Sequence, residues 1–109
     1  MLAIRIEETG GPEVLQTVEA PVPEPGPGQV LVRHQAVGLN FIDTYHRSGL
    51  YPVRLPSGLG MEAAGIVEKV GDGVTRFAVG DPIAYASGPI GAYAELNVVD
   101  PARAVKPPP

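Results

Sequence analysis

A chain of 109 residues, 44% of them apolar, is long enough for one domain with a real core and too apolar to stay disordered. Its net charge of −4 and lack of any basic run argue against nucleic acid as a partner, and the absence of cysteine excludes disulfides, thiolate zinc sites, iron–sulfur ligation and thiol nucleophiles. No apolar run approaches the roughly 20 residues of a membrane helix, and MLAIRIEETGG lacks a signal peptide's basic start and long apolar centre, so no membrane contact and a cytoplasmic setting are expected.

In chain order, AIRIEE (Ala3 to Glu8) alternates apolar and polar residues and reads as a half-buried strand ended by Gly10-Gly11-Pro12. VLQTVEAPV (Val14 to Val22) reads as a second strand whose end lies at an edge, because Pro21 removes a donor. Pro23 to Gly28 is a rigid turn, and QVLVRHQAVGL (Gln29 to Leu39) is the strongest strand. At Asn40 the period changes. Asn40 suits a helix N-cap, Asp43 is its capping-box partner and Gly49 suits the C-terminal stop, so NFIDTYHRS predicts a helix of about two turns.

Two prolines make Leu50 to Ser57 an irregular loop. AAGIVEKVG (Ala63 to Gly71) is a strand, followed by turns at Gly71-Asp72-Gly73 and Gly80-Asp81-Pro82, the short strand IAYA, and GAYAELNVV (Gly91 to Val99), which alternates cleanly. Lys106 to Pro109 reads as a boundary or linker. With 14 glycines and 13 prolines punctuating short strands, the pattern predicts a mainly β sandwich or barrel with one short helix.

GLGMEA, Gly58 to Ala63, fits the loose G-x-G-x-x-A form of a dinucleotide loop. That loop works only between an entering strand and a helix whose N-terminus faces the pyrophosphate. Here the entering segment holds Pro52 and Pro56, and the leaving segment is β-branched with no helical cap. The glycines are better read as backbone that turns sharply or packs closely.

Taken together, GGPEVLQ, PGPGQVLV, AVGLNFIDTYHRSGLYP, LPSGLGMEAAGIVEKVGDGV, Gly80-Asp81 and GAYAEL resemble, in order and spacing, the medium-chain dehydrogenases/reductases, and most closely their zinc-free, zeta-crystallin-like NADPH:quinone oxidoreductase branch. The resemblance implies a GroES-like, partly open β-barrel over residues 1–109 with one or two short helices. It also implies a Rossmann nucleotide-binding domain after residue 109, a quinone or other small conjugated carbonyl as substrate, and a homodimeric parent. The chain is therefore expected to be the substrate-cleft domain of a longer enzyme and inactive alone.

Zinc-using members of that superfamily carry a cysteine ligand where Asn40 stands here and a histidine ligand where Met61 stands. An amide and a thioether are not normal zinc ligands, so no metal is expected. The resemblance assigns Asn40, Tyr45 and Tyr51 to the reaction, Asn40, Phe41, Ile42 and Tyr45 to the cofactor side of the cleft, and Tyr51, Met61 and Glu62 to the substrate side. On the residues alone, simpler readings stand beside these. Asn40 is an adequate N-cap, Phe41 with Tyr45 is a core stripe at i, i+4, His46 is on the helix surface, and Met61 is packing. A carboxylate among glycines, Glu62 needs a partner, either nearby backbone N–H groups or an arginine beyond this chain. Two other functions fit: an enone or enoyl reductase of the same superfamily, and a non-catalytic GroES-like binding module.

Overall fold

The computed structural model describes residues 1–108; Pro109, the last residue of the expected linker, lies outside the described residues. Leu2–Ile6 (β1), Gln16–Glu19 (β2) and Ser57–Gly58 (β4) form a three-stranded antiparallel sheet in the order β2-β1-β4. Val30–Val37 (β3), Ala63–Val70 (β5), Pro82–Tyr85 (β6), Leu96–Val99 (β7) and Ala104–Val105 (β8) form a five-stranded antiparallel sheet in the order β7-β3-β5-β6-β8. Neither sheet closes on itself, and one α-helix, α1 (Phe41–Ser48), follows β3. The partly open, mainly β architecture expected from the sequence is the one observed. Among the described residues no helix is long and apolar enough to cross a membrane.

β3 is central. It pairs with β5 on one side and β7 on the other, which buries Val30, Leu31 and Val32 in succession instead of alternately. Register shifts after Leu31 and His34 then bend the strand, so that its end leaves the sheet and delivers Gly38, Leu39 and Asn40 to the helix. The main core lies over this sheet, with Val30, Val32, Val67, Phe77, Ile83 and Val99 buried. A smaller cluster of Ile6, Val14 and Leu59 lies under β1 and is flanked by Tyr93.

Three expectations need correction. Val14 and Leu15 do not begin β2: Pro12–Val14 is a one-turn 3-10 helix and the strand starts at Gln16. Ser57 and Gly58 are not simply loop, because they pair with Ile6 and Arg5. The alternation of Gly91 to Val99 is a strand only from Leu96. Its first half runs as an irregular segment that links the sheets: Tyr93 carbonyl accepts from the Ile4 N–H at 2.8 Å, and the Glu95 N–H donates to Leu2 carbonyl at 3.1 Å. The phase of burial changes accordingly, with Ala92, Leu96 and Val99 buried and Val98 only half-buried.

Candidate active site

The helix starts and stops on the predicted signals. Asn40 holds an extended backbone (φ −130°, ψ 154°), and its N–H donates to Asp43 Oδ2 at 3.1 Å. Gly49 takes the left-handed conformation (φ 89°), and its N–H donates to Tyr45 carbonyl at 3.1 Å. The helix therefore presents defined stripes, and they do not face where the simplest reading puts them. Phe41 is 82% exposed and Tyr45 36%, so this pair is no core stripe; it is an open apolar face. His46, expected on the surface, is 7% exposed, and its Nδ1 has no hydrogen-bond partner among the described residues.

Tyr51, 49% exposed in the loop after the helix, packs edge-on against Tyr45 with ring centroids 5.2 Å apart. His46 backs the pair at 6.4 Å from the Tyr51 ring. Asn40 and Glu62 are brought together: the Asn40 amide donates to Glu62 Oε1 at 3.0 Å. This supplies the partner that the sequence left open, and it is neither a glycine N–H nor an external arginine. The approach requires a glycine at position 38. A Cβ there would sit 2.0 Å from Glu62 Oε1, and the Gly38 N–H donates to Glu62 carbonyl at 3.1 Å. Ile42 is half-buried. Met61 points elsewhere. Its carbonyl accepts from the Gly88 N–H at 3.0 Å, and its methyl group lies toward Gly88.

The loop GLGMEAAG packs against the segment that holds Ala92 and Tyr93. Leu59 and Gly60 carbonyls accept from the N–H groups of Tyr93 and Ala92 at 2.9 and 3.2 Å. The free side of Gly60 (φ 93°) is covered by the Tyr93 ring, 2.5 Å from where a Cβ would stand. The structure thus gives this glycine a packing role.

Two polar contacts of this region, one to Asp43 and one to His34, have no local signal in the sequence. Asp43 is more than a capping partner. It is 4% exposed, and Oδ2 also accepts from the Tyr93 hydroxyl at 2.5 Å, across 50 residues of chain. Burial, followed by the hydrogen bond and charge of Asp43, pushes the Tyr93 phenol well above its ordinary range, so it remains a donor. Only the alternation of GAYAEL, which sets Tyr93 against the alanines, hinted at this role. His34 is held by Ala94 carbonyl at Nδ1 (2.7 Å) and by the Tyr85 hydroxyl at Nε2 (2.8 Å). A carbonyl only accepts, so Nδ1 carries the proton, Tyr85 donates to Nε2, and the Tyr85 oxygen accepts from Asn97 at 3.2 Å. Desolvation depresses the His34 pKa, which fits this neutral tautomer.

Among the described residues, no group of three or more His, Cys, Asp and Glu is placed to hold a metal ion. The arrangement offers an open aromatic face, two phenolic donors and one amide beside a carboxylate. It can hold a flat molecule and hydrogen-bond its oxygen.

The fold and these residues are those of the GroES-like domain of the medium-chain dehydrogenases/reductases. The family model of the alcohol dehydrogenase GroES-like domain matches residues 26–109, and the chain belongs to that family. It is similar to a quinone oxidoreductase of Pseudomonas aeruginosa, 62% identical over 97 residues, covering 88% of this chain and 30% of that protein. The crystal structure of Escherichia coli quinone oxidoreductase complexed with NADPH superposes with a TM-score of 0.97 at 48% identity, covering 99% of this chain and 33% of that one. A 2-haloacrylate reductase from Burkholderia is 41% identical over 112 residues, covering 99% of this chain and 34% of its own. The chain thus spans about a third of the length of the relatives it matches.

Proposed function

We propose that the chain is the substrate-cleft domain of a zinc-independent, NADPH-dependent quinone reductase. The observation that carries this reading is the open face of α1, where Phe41, Tyr45 and Tyr51 expose aromatic surface next to the Asn40 amide. The similarity to quinone oxidoreductases, one of them complexed with NADPH, supports it. A Rossmann domain beyond residue 109, a homodimeric parent and a cytoplasmic setting belong to the same reading.

When bound, NADPH supplies the hydride. The exposed ring of Phe41 and the adjoining Ile42 and Tyr45 fit a flat ring stacked on the helix, with Asn40 at its edge. The chain's own task is to orient the substrate and stabilise charge on its oxygen. The Tyr45 and Tyr51 hydroxyls are half-exposed donors that hydrogen-bond a carbonyl as it gains charge. The Asn40 amide has two N–H groups, one of them held by Glu62, which fixes its plane and leaves the second for a ligand. The donor set at the two metal-ligand positions, an amide and a thioether, does not fit zinc.

In the full-length protein, Tyr51→Phe is expected to lower kcat/KM for a benzoquinone by about ten- to a hundredfold, and Asn40→Ala by a similar factor. The purified protein should contain no stoichiometric zinc. Stoichiometric zinc, or two variants with unchanged kcat/KM, would overturn the reading. A second reading, reduction of a conjugated carbon–carbon double bond, is favoured by the likeness to the 2-haloacrylate reductase. Side-by-side rates with a quinone and an enone separate the two.

A further inference from the structure

Residues 87–91 form a loop beside Met61, between β6 and the segment that links the sheets. Ser87 (φ 65°), Gly88 (φ 98°) and Gly91 (φ 135°) all take positive φ, and among the described residues Ser87 is the one non-glycine that does so. A serine keeps that conformation only where its surroundings hold it. Two ties run to the glycine-rich loop: the Gly88 N–H donates to Met61 carbonyl and the Gly91 N–H to Gly60 carbonyl, both at 3.0 Å. Arg103 donates to Ser87 carbonyl at 3.5 Å. The last tie comes from β7. The Asn97 amide donates to Pro89 carbonyl at 3.5 Å, and Asn97 Oδ1 would lie 3.0 Å from a Cβ added at Gly91.

Asn97 is also the end of a directed chain of hydrogen bonds. The chain runs from Ala94 carbonyl through His34 Nδ1 and Nε2 to the Tyr85 hydroxyl and the Asn97 amide, at 2.7, 2.8 and 3.2 Å. A phenolic hydrogen lies in the plane of its ring, on one of two sides. While His34 is neutral, that hydrogen points at Nε2, and Asn97 donates to the other side of the oxygen. An imidazolium donates from both nitrogens, so the Tyr85 hydrogen has to turn toward Asn97, where it meets another donor. Tyr85 does not escape by ionising, because burial raises its pKa. Rotation of the Asn97 amide removes the conflict: Oδ1 then accepts from Tyr85, and Nδ2 leaves Pro89.

We infer that protonation of His34 turns the Asn97 amide away from Pro89 and loosens the loop at residues 87–91 where it meets Met61. Few other groups can set the charge of His34. Tyr85 on β6 touches the ring, and Gly65, opposite on β5, has no side chain. The neighbouring Arg33 pairs with Glu68 at 2.7 Å. Glu95 gives His34 only its carbonyl, as acceptor of the backbone N–H, while its carboxylate accepts from the Leu2 N–H. Desolvation sets the His34 pKa below its ordinary 6.5, so the change falls at acidic pH. The inference does not rest on the reductase reading, because it uses none of the residues assigned to catalysis.

The test is NMR of the full-length protein between pH 7.5 and 4.5. The Asn97 side-chain amide resonances should move with the same midpoint as the His34 imidazole. Hydrogen-exchange protection of the Gly88 and Gly91 N–H groups should fall by up to about tenfold through that step, the worth of one hydrogen bond. His34→Gln offers an N–H to Ala94 and an oxygen to Tyr85, as the neutral imidazole does, and should make the loop independent of pH. Tyr85→Phe should leave His34 titrating while Asn97 no longer follows. A His34 titration that leaves Asn97 unmoved, an Asn97 response that persists in His34→Gln or in Tyr85→Phe, or unfolding before His34 titrates would each overturn the inference.

Discussion

Gly60→Ala is the sharpest test of the statement that the glycine-rich loop is a packing device. Two costs follow from the geometry. An alanine at φ 93° takes a left-handed conformation, costing about 1–2 kcal/mol. Its Cβ would also stand 2.5 Å from Tyr93 Cδ1, inside a ring that Asp43 holds by its hydroxyl, and forcing a group into a packed site costs about 1–3 kcal/mol more. The expected total is about 2–5 kcal/mol. Gly73→Ala is the internal control. Gly73 has φ 84°, with nothing within 4 Å of the added Cβ, so it carries the backbone cost alone. In urea unfolding followed by circular dichroism, the two variants should differ in midpoint by about 1 M, with Gly60→Ala the lower. NADPH affinity of the folded full-length protein should be unchanged in both. If Gly60→Ala were no less stable than Gly73→Ala, or if it kept its stability and lost NADPH, the packing account would fall and a ligand role for the loop would return.

Gly38→Ala should separate Asn40 from Glu62, since the new Cβ would occupy the space of Glu62 Oε1; the Asn40 side-chain amide resonances should move to free-amide positions, and unchanged resonances would refute the close approach. Tyr93→Phe keeps the ring over Gly60 and removes one of two donors from Asp43 Oδ2, so it should cost about 1–3 kcal/mol in the same unfolding assay; a neutral result would mean that solvent replaces the bond. Because burial lowers the His34 pKa from 6.5, the unfolded chain takes up that proton first as the pH falls. Stability should therefore be full above pH 6.5, decline below it, and level off once the folded imidazole is protonated; His34→Gln should lack this step, and a variant with the same pH profile would exclude His34 as its source.

The helix could be read in advance because its signals are local: Asn40, Asp43 and Gly49 lie within ten positions and each acts on backbone nearby. β3 and β5 were legible for a similar reason, as runs of β-branched residues too apolar for anything but a buried sheet. Apart from the 3-10 turn at Pro12–Val14, the failures are non-local. Ser57 and Gly58 pair with β1 because Ile6 and Arg5 come past them, which nothing in LPSG announces. GAYAEL alternates like a strand, yet its first half follows β1 and the Leu59-Gly60 backbone instead of a ladder of its own. His46 reads as a surface residue at the end of a helix until the Tyr51 loop folds over it.

The site shows the same division with a more instructive boundary. Residue types at Asn40 and Met61 already argue against zinc, because ligand chemistry belongs to the side chain and needs no coordinates. Which groups share a cleft does need them. The sequence places Asn40 and Glu62 in separate motifs, and the fold joins them by a hydrogen bond that only a glycine at position 38 permits. It also sets the two sides of the helix in different surroundings. Phe41 and Tyr45 are left uncovered where a core stripe is the simpler expectation, and Asp43 is buried with one oxygen satisfied twice and the other not at all. An exposed aromatic face and an unsatisfied buried carboxylate are both uneconomical for a domain concerned only with its own stability. Each is the kind of local conflict that natural proteins concentrate at functional sites.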